Sequence, residues 1–132
     1  MRQRHRRAHR LRELAERIGA ATFLIDSAAD TDKSTSFLAS DNIKIGTIAA
    51  DEMAKALTAN TGKAAGKVAG VTYFAGAGSL EKRKKGFLDR VKEKYPGINV
   101  VDFQDAQGKH GTSLAIVQNY LTAHKNLKGI FA

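Results

Sequence analysis

From Asp41 onward the apolar positions switch between two spacings. Ile45, Ile48, Ala49, Met53, Ala56 and Leu57 recur at helical intervals and predict one buried helix face. A polar, glycine-containing connection from Thr58 to Gly66 separates them from Val68 to Ala75, whose β-branched and aromatic residues predict a strand. Leu80, Phe87, Leu88 and Val91 mark a second helix, halted before Pro96-Gly97 because proline pushes the residue ahead of it out of helical geometry. Ile98 to Phe103 predicts a further strand, Leu114, Val117 and Leu121 a third helix, and Gly129 to Ala132 the start of another strand. Upstream, Leu11, Leu14, Ala15 and Ile18 form a short helical stripe that ends at Gly19. Ala21 to Asp26 reads as a compact buried strand, and residues 27–36, small and polar, as a loop.

Strands alternating with helices over short connections predict an α/β fold, a parallel sheet with flanking helices. In such sheets ligands sit beyond the carboxyl ends of the strands. That rule selects Asp26-Ser27, residues 75–83, residues 103–110 and the stretch following Ala132.

Composition narrows the classes. With 42% hydrophobic and 27% charged residues the chain is globular in character, and 132 residues suffice for one domain-sized core. No apolar run approaches the ~18 residues of a membrane span. The absence of cysteine excludes disulfides and thiolate metal sites. The net charge of +9 is uneven: residues 1–17 carry seven arginines against two glutamates, and the body is only mildly basic. That start lacks the apolar core of a secretion signal, because Arg10, Arg12, Glu13, Glu16 and Arg17 interrupt it. No export signal is expected in these residues. Nor do they interleave aromatics with the arginines, so nucleic acid is not the expected partner. Their composition breaks with the rest, as a non-native beginning or a merely solvated helix would.

Most candidate motifs dissolve on inspection. Gly76-Ala-Gly78 follows a strand and opens a helix, but the third glycine of a dinucleotide fingerprint is replaced by Glu81, whose carboxylate would repel a pyrophosphate. Gly62-Lys-Ala-Ala-Gly66-Lys67 is too short for a phosphate loop and precedes a strand instead of following one. His5, His9, His110 and His124 lack ligand spacing, so no metal and no cofactor are expected. No serine stands in a nucleophile elbow and no carboxylates pair, so the chain does not read as an enzyme. Lys82-Arg83-Lys84-Lys85 spreads around most of a helical turn and reads as a solvated face. Arg83 differs in lying early in the helix after a strand, near the ligand edge. There a guanidinium can donate paired hydrogen bonds to neighbouring hydroxyls, and a carboxylate such as Asp26 can accept from others.

The order of these motifs resembles the ribose-type periplasmic sugar-binding proteins of ABC importers. Leu24-Ile25-Asp26-Ser27, then Ala39-Ser40-Asp41-Asn42 with Gly46 and Ala49, is similar to the passage from the family's first lobe to its second. Gly76-Ala-Gly-Ser-Leu-Glu-Lys-Arg83-Lys-Lys-Gly86-Phe87 resembles its loop–helix segment. Gln118-Asn119-Tyr-Leu121-Thr-Ala-His124 and Gly129-Ile-Phe-Ala132 resemble the approach to a ligand-bearing strand end. The match covers roughly residues 20–132 in the family's order, and it is the combination that is specific.

The resemblance implies a partial periplasmic-binding-protein-like fold, mostly the second lobe of a hinged two-lobed receptor. Residues 1–19 would be an arginine-rich helix, 20–39 the last strand and crossover of the first lobe, and 40–132 an incomplete second lobe. It implies a monosaccharide or polyol ligand, an ABC permease as partner, and a periplasmic or cell-surface location. Asp26 and Arg83 match the family's sugar-binding aspartate and arginine. Ser27 stands where ribose binders carry an arginine, and Gly108 where an aromatic often stacks on the sugar. With so few of the contacts present, Asp26 and Arg83 alone would give at most millimolar binding, about −4 kcal/mol, so this fragment is expected to be unable to hold a sugar by itself. The effector domain of lac-repressor-type regulators shares the fold. Its Gly-His pair before the second strand is missing from Thr58 to Lys67, which ranks it second, and a small basic nucleic-acid-binding protein driven by residues 1–17 is the other alternative.

Overall fold

Gly19 ends the first helical stretch, as its place in the sequence predicts. It adopts φ +68°, a left-handed conformation that glycine enters without a Cβ clash. The N–H groups of Gly19 and Ala20 then close on the carbonyls of Glu16 (3.1 Å) and Ala15 (2.8 Å). The computed structural model describes Arg10, residues 13–26 and residues 34–132, in two compact units, Met1–Ser40 and Asp41–Ala132.

In the first unit residues 13–17 are helical, and Leu14 and Ile18 of the predicted stripe stay exposed. Strand β1 (Phe23–Ile25) pairs in parallel with β2 (Ser36–Leu38), Leu24 opposite Phe37. The second strand begins at Ser36, the last residue of the segment read as a loop, and continues beyond it. Three half-exposed residues are too few to show a two-residue alternation.

The second unit runs α1 (Asn42–Thr61), β3 (Gly66–Thr72), α2 (Gly78–Lys94), β4 (Ile98–Asp105), α3 (His110–Ala123) and β5 (Leu127–Phe131). The sheet is parallel throughout, in the order β4-β3-β5. Alternation along the central strand divides the core. Val68 faces α1 and α2 with Ala50, Ala54, Leu57, Phe87, Val91 and Ile98. Ala69 and Val71 face the opposite layer with Ala106, Ile116 and Tyr120. Helices therefore cover both faces of this sheet, as the alternation of elements predicts.

The helix faces are only in part those the apolar spacing suggested: Leu57, Phe87 and Val91 are buried, and Ala49, Met53, Leu88 and Val117 pack against the core. On α1 the buried positions are Asn42, Gly46, Ala50, Ala54 and Leu57, while Ile45 and Ile48 are 38% and 49% exposed. Small residues line this face because α2 lies against it at backbone distance. A Cβ on Gly46 would come within 2.7 Å of the Phe87 nitrogen and overlap the Arg83 carbonyl, and one on Gly86 would overlap the Ile43 carbonyl. On α3 the sheet takes Ile116 and Tyr120, leaving Leu114 and Leu121 more than half exposed. The Tyr120 hydroxyl donates to the Gly70 carbonyl at 3.0 Å, so its polar end is satisfied inside the core.

A three-residue network fastens α1 to α2 further along. Arg90 grips Asp51 with both Nε (2.9 Å) and Nη2 (3.1 Å), and the Tyr95 hydroxyl donates to the same carboxylate at 2.7 Å. The hydrogen bond from Arg90, then that from Tyr95, lowers the Asp51 carboxyl to about 2. A carboxyl depressed on folding contributes stability above its unfolded pKa and loses it as pH falls through the folded value. Thermal melts should therefore fall between about pH 4 and pH 2. Asp51→Asn should flatten that part of the profile, and an unchanged profile would contradict the linkage.

Candidate functional site

The chain's connectivity gathers one end of the second unit. α1 leads into the amino end of β3, and α2 leaves from its carboxyl end, so both helix starts lie at the carboxyl edge of the sheet. Asp41 caps α1 there, its Oδ1 accepting from the Lys44 N–H at 3.0 Å. The two close glycine contacts hold the start of α1 against the second and third turns of α2. Across that contact Arg83 Nε donates to Asn42 Oδ1 at 2.7 Å.

This bond determines what Arg83 presents. Asn42 is only 4% exposed and Arg83 is half-buried, so the guanidinium is anchored by a residue that belongs to the core. With Nε engaged, the two terminal nitrogens carry its remaining donors as a planar fork. A fork of this kind matches a pair of adjacent oxygens, whether hydroxyls or a carboxylate. Beneath it Phe87 is fully buried, its ring 4.6 Å from Phe131 and 6.4 Å from Phe103. Three aromatic rings thus form a floor under the carboxyl edge.

The other three residues of the basic run turn elsewhere, as helical geometry predicts. Lys84 lies 4.9 Å from the Phe103 ring centroid, Lys85 pairs with Asp89, and Lys82 is exposed. They do not form a patch with Arg83.

Two loops border the same edge. The strand predicted to reach Ala75 ends at Thr72, because the following residues bond to the loop after β4 instead of extending the ladder. Ala106 N–H donates to the Thr72 carbonyl (2.8 Å) and Gly108 N–H to the Tyr73 carbonyl (2.7 Å). Asp105 organises both loops: Oδ2 accepts from Ala75 N–H at 2.6 Å and Oδ1 from Gln107 N–H at 2.9 Å. Gly76 N–H donates to Glu81 Oε1 at 3.0 Å. The carboxylate that spoils the dinucleotide fingerprint is therefore turned onto the very loop where a pyrophosphate would sit. The other glycine-rich stretch also has a structural purpose. Gly62 ends α1 at φ +81° with its N–H on the Thr58 carbonyl.

Of the residues singled out in the sequence, Asp26 ends β1 in the first unit, with φ +68° and its N–H on the Leu38 carbonyl at 2.9 Å. Arg83 has the setting just described in the second. Ser27 lies outside the described residues. The sequence reading missed Asn42 as the anchor of Arg83 and Asp105 as the organiser of the loops. A polar residue four positions ahead of Gly46, on the face that proves buried, is the signal that could have found Asn42. Among the described residues no group of His, Asp or Glu is arranged to hold a metal, and no helix is long and apolar enough to cross a membrane.

The pattern of the family described as "Periplasmic binding protein domain" matches residues 11–132. The ribose import binding protein of Bacillus subtilis (strain 168) is 32% identical over 120 residues, which are 91% of this chain and 37% of that protein. Its Escherichia coli (strain K12) counterpart is 31% identical over the same share of this chain and 38% of its own. Among solved structures, a carbohydrate transporter solute-binding protein from Agrobacterium radiobacter, in complex with D-arabinose, superposes with a TM-score of 0.83 at 47% identity, over 86% of this chain and 38% of that one. An arabinose-binding protein from Geobacillus stearothermophilus gives 0.77 at 33% identity, over 89% and 39%. The chain thus spans under two fifths of the length of these relatives. With the match running from residue 11 to residue 132 and this fold beneath it, the chain belongs to the periplasmic binding protein domain family and is similar to its ribose-type members.

Proposed function

We propose that the chain serves sugar import, as part of the substrate-binding component of an ABC transporter that takes a monosaccharide or related polyol. The observation that carries this is Arg83: a half-buried guanidinium at the carboxyl edge, its Nε fixed by buried Asn42 and its fork available to adjacent hydroxyls. The similarity to a D-arabinose complex supports a pentose as the first ligand to try. Asp26 and Ser27 are further hydroxyl partners on the strength of the family resemblance. A periplasmic or cell-surface location and an ABC permease as partner follow from the same reading.

Affinity is the test. A sugar hydroxyl exchanges water for protein, so one exposed hydrogen bond yields only about 1 kcal/mol net. The 132-residue chain should therefore bind D-arabinose or D-ribose no tighter than about 1 mM, near −4 kcal/mol. Calorimetry against pentoses, hexoses and polyols checks this. Millimolar binding confined to sugars supports the reading, and micromolar binding would contradict the energetic argument. Preference for a phosphorylated compound over every neutral sugar would overturn the assignment of ligand class.

A further inference from the structure

Gly108 leaves a space above the carboxyl edge that another part of the chain fills. At φ +69° it has no side chain, and a Cβ placed there would come within 2.7 Å of the Phe74 ring and 3.2 Å of the Tyr73 ring. Both rings come from the segment just beyond β3. They meet edge to face, centroids 4.8 Å apart at 86°. Phe74 is half-buried against the glycine, while Tyr73 is 61% exposed.

We propose that Tyr73, buttressed by Phe74 over Gly108, is the apolar platform on which this protein receives the C–H face of its sugar. The inference rests on the sugar-binding reading above and deepens it by naming a specificity residue. Three observations support it. Tyr73 stands at the end of the sheet where α/β folds bind ligands. Its backbone is fixed by the Gly108 N–H on its carbonyl and, two residues on, by Asp105 on the Ala75 N–H, so the ring is carried on a braced loop and loses little freedom on binding. It also contrasts with the other two tyrosines. Tyr95 donates to Asp51 and Tyr120 to the Gly70 carbonyl, both within the fold, whereas Tyr73 exposes a large amphipathic ring at the ligand edge. Ligand pockets pair such aromatic surface with a few placed polar groups, and Arg83 supplies the polar side here.

The same juxtaposition makes residue 108 a gate on the platform. A side chain larger than hydrogen there would displace Phe74 and with it the support of Tyr73. Glycine at 108 and aromatics at 73 and 74 are thus one device.

The test uses the full chain and D-arabinose, followed by saturation-transfer NMR with irradiation of the aromatic protons. Transfer to the sugar C–H protons is expected in the parent chain. Tyr73→Ser should abolish most of that transfer and weaken binding about fivefold to tenfold, while Tyr73→Phe, which keeps the ring face, should retain both. Because Tyr73 is exposed, neither variant disturbs the core. Equal affinity and transfer in the Tyr73→Ser chain would overturn the platform and leave the sugar reading standing. Absence of any sugar-dependent change in the parent chain, at Arg83 or at the rings, would overturn both.

Discussion

Gly86→Ala is expected to destabilise the second unit by about 2 kcal/mol or more, although alanine is the better helix former. Helix propensity alone favours the exchange by about 1 kcal/mol. Against it stands the Ile43 backbone: a Cβ on Gly86 would overlap that carbonyl oxygen and lie 3.1 Å from its Cα. Backbone cannot swing aside as a side-chain end can, so the two helices must separate, and overpacking of this kind costs about 1–3 kcal/mol or more. Gly111, near the start of α3, has nothing within 4 Å of the same added atom. Gly111→Ala should therefore gain a few tenths to about 1 kcal/mol. Chemical denaturation of the two variants side by side checks the contrast. Equal responses would show that the helices do not meet at backbone distance.

Phe87→Ala should cost still more, about 3–5 kcal/mol. The ring is wholly buried and touches both Phe103 and Phe131, so truncation removes transfer energy and leaves a cavity bordered by two rigid rings. Phe87→Leu, which keeps most of the volume, should cost about 1–1.5 kcal/mol. The effect reaches the site because residue 87 is one turn from Arg83 on the same helix. A chain that survives Phe87→Ala should also lose the fixed geometry of the Arg83–Asn42 bond, visible as broadening of the Arg83 Nε resonance. An alanine variant as stable as its parent would place the weight of the core elsewhere.

These two residues also show what the sequence discloses. The α/β alternation is legible because strands and helices impose different periods, and Pro96 and Gly62 punctuate them. The motif Asp41-Asn42 with Gly46, and Arg83 with Gly86-Phe87, is recognisable as a family pattern before its purpose is. The structure supplies the purpose: Asn42, Gly46, Arg83, Gly86 and Phe87 meet at the crossing of α1 and α2, and Asp41 caps the first of these helices. What periodicity could not give is which face of α1 is buried. Counting apolar residues favours Ile45, Ile48 and Ala56, yet the face that packs is the one with Gly46, Ala50 and Ala54, because close approach of backbones rewards small side chains over greasy ones. For the same reason Asn42 looked like an ordinary polar start of a helix. β2 escaped because three residues carry no pattern, and Asp105 because loop bonding is set by geometry that the one-dimensional spacing does not encode.

The central claim is that the Arg83 fork, held by Asn42, donates to the hydroxyls of a sugar. Heteronuclear NMR of the Arg83 Nε–Hε group, followed while D-arabinose is added to the full chain, measures it most directly. A saturable shift of that resonance and of the Asn42 side-chain amide is expected, with a midpoint of about 1 mM or weaker, lost in Arg83→Lys. A titration that leaves both signals still while moving resonances at the opposite end of the sheet, around Lys63, Lys67 and Lys128, would contradict it.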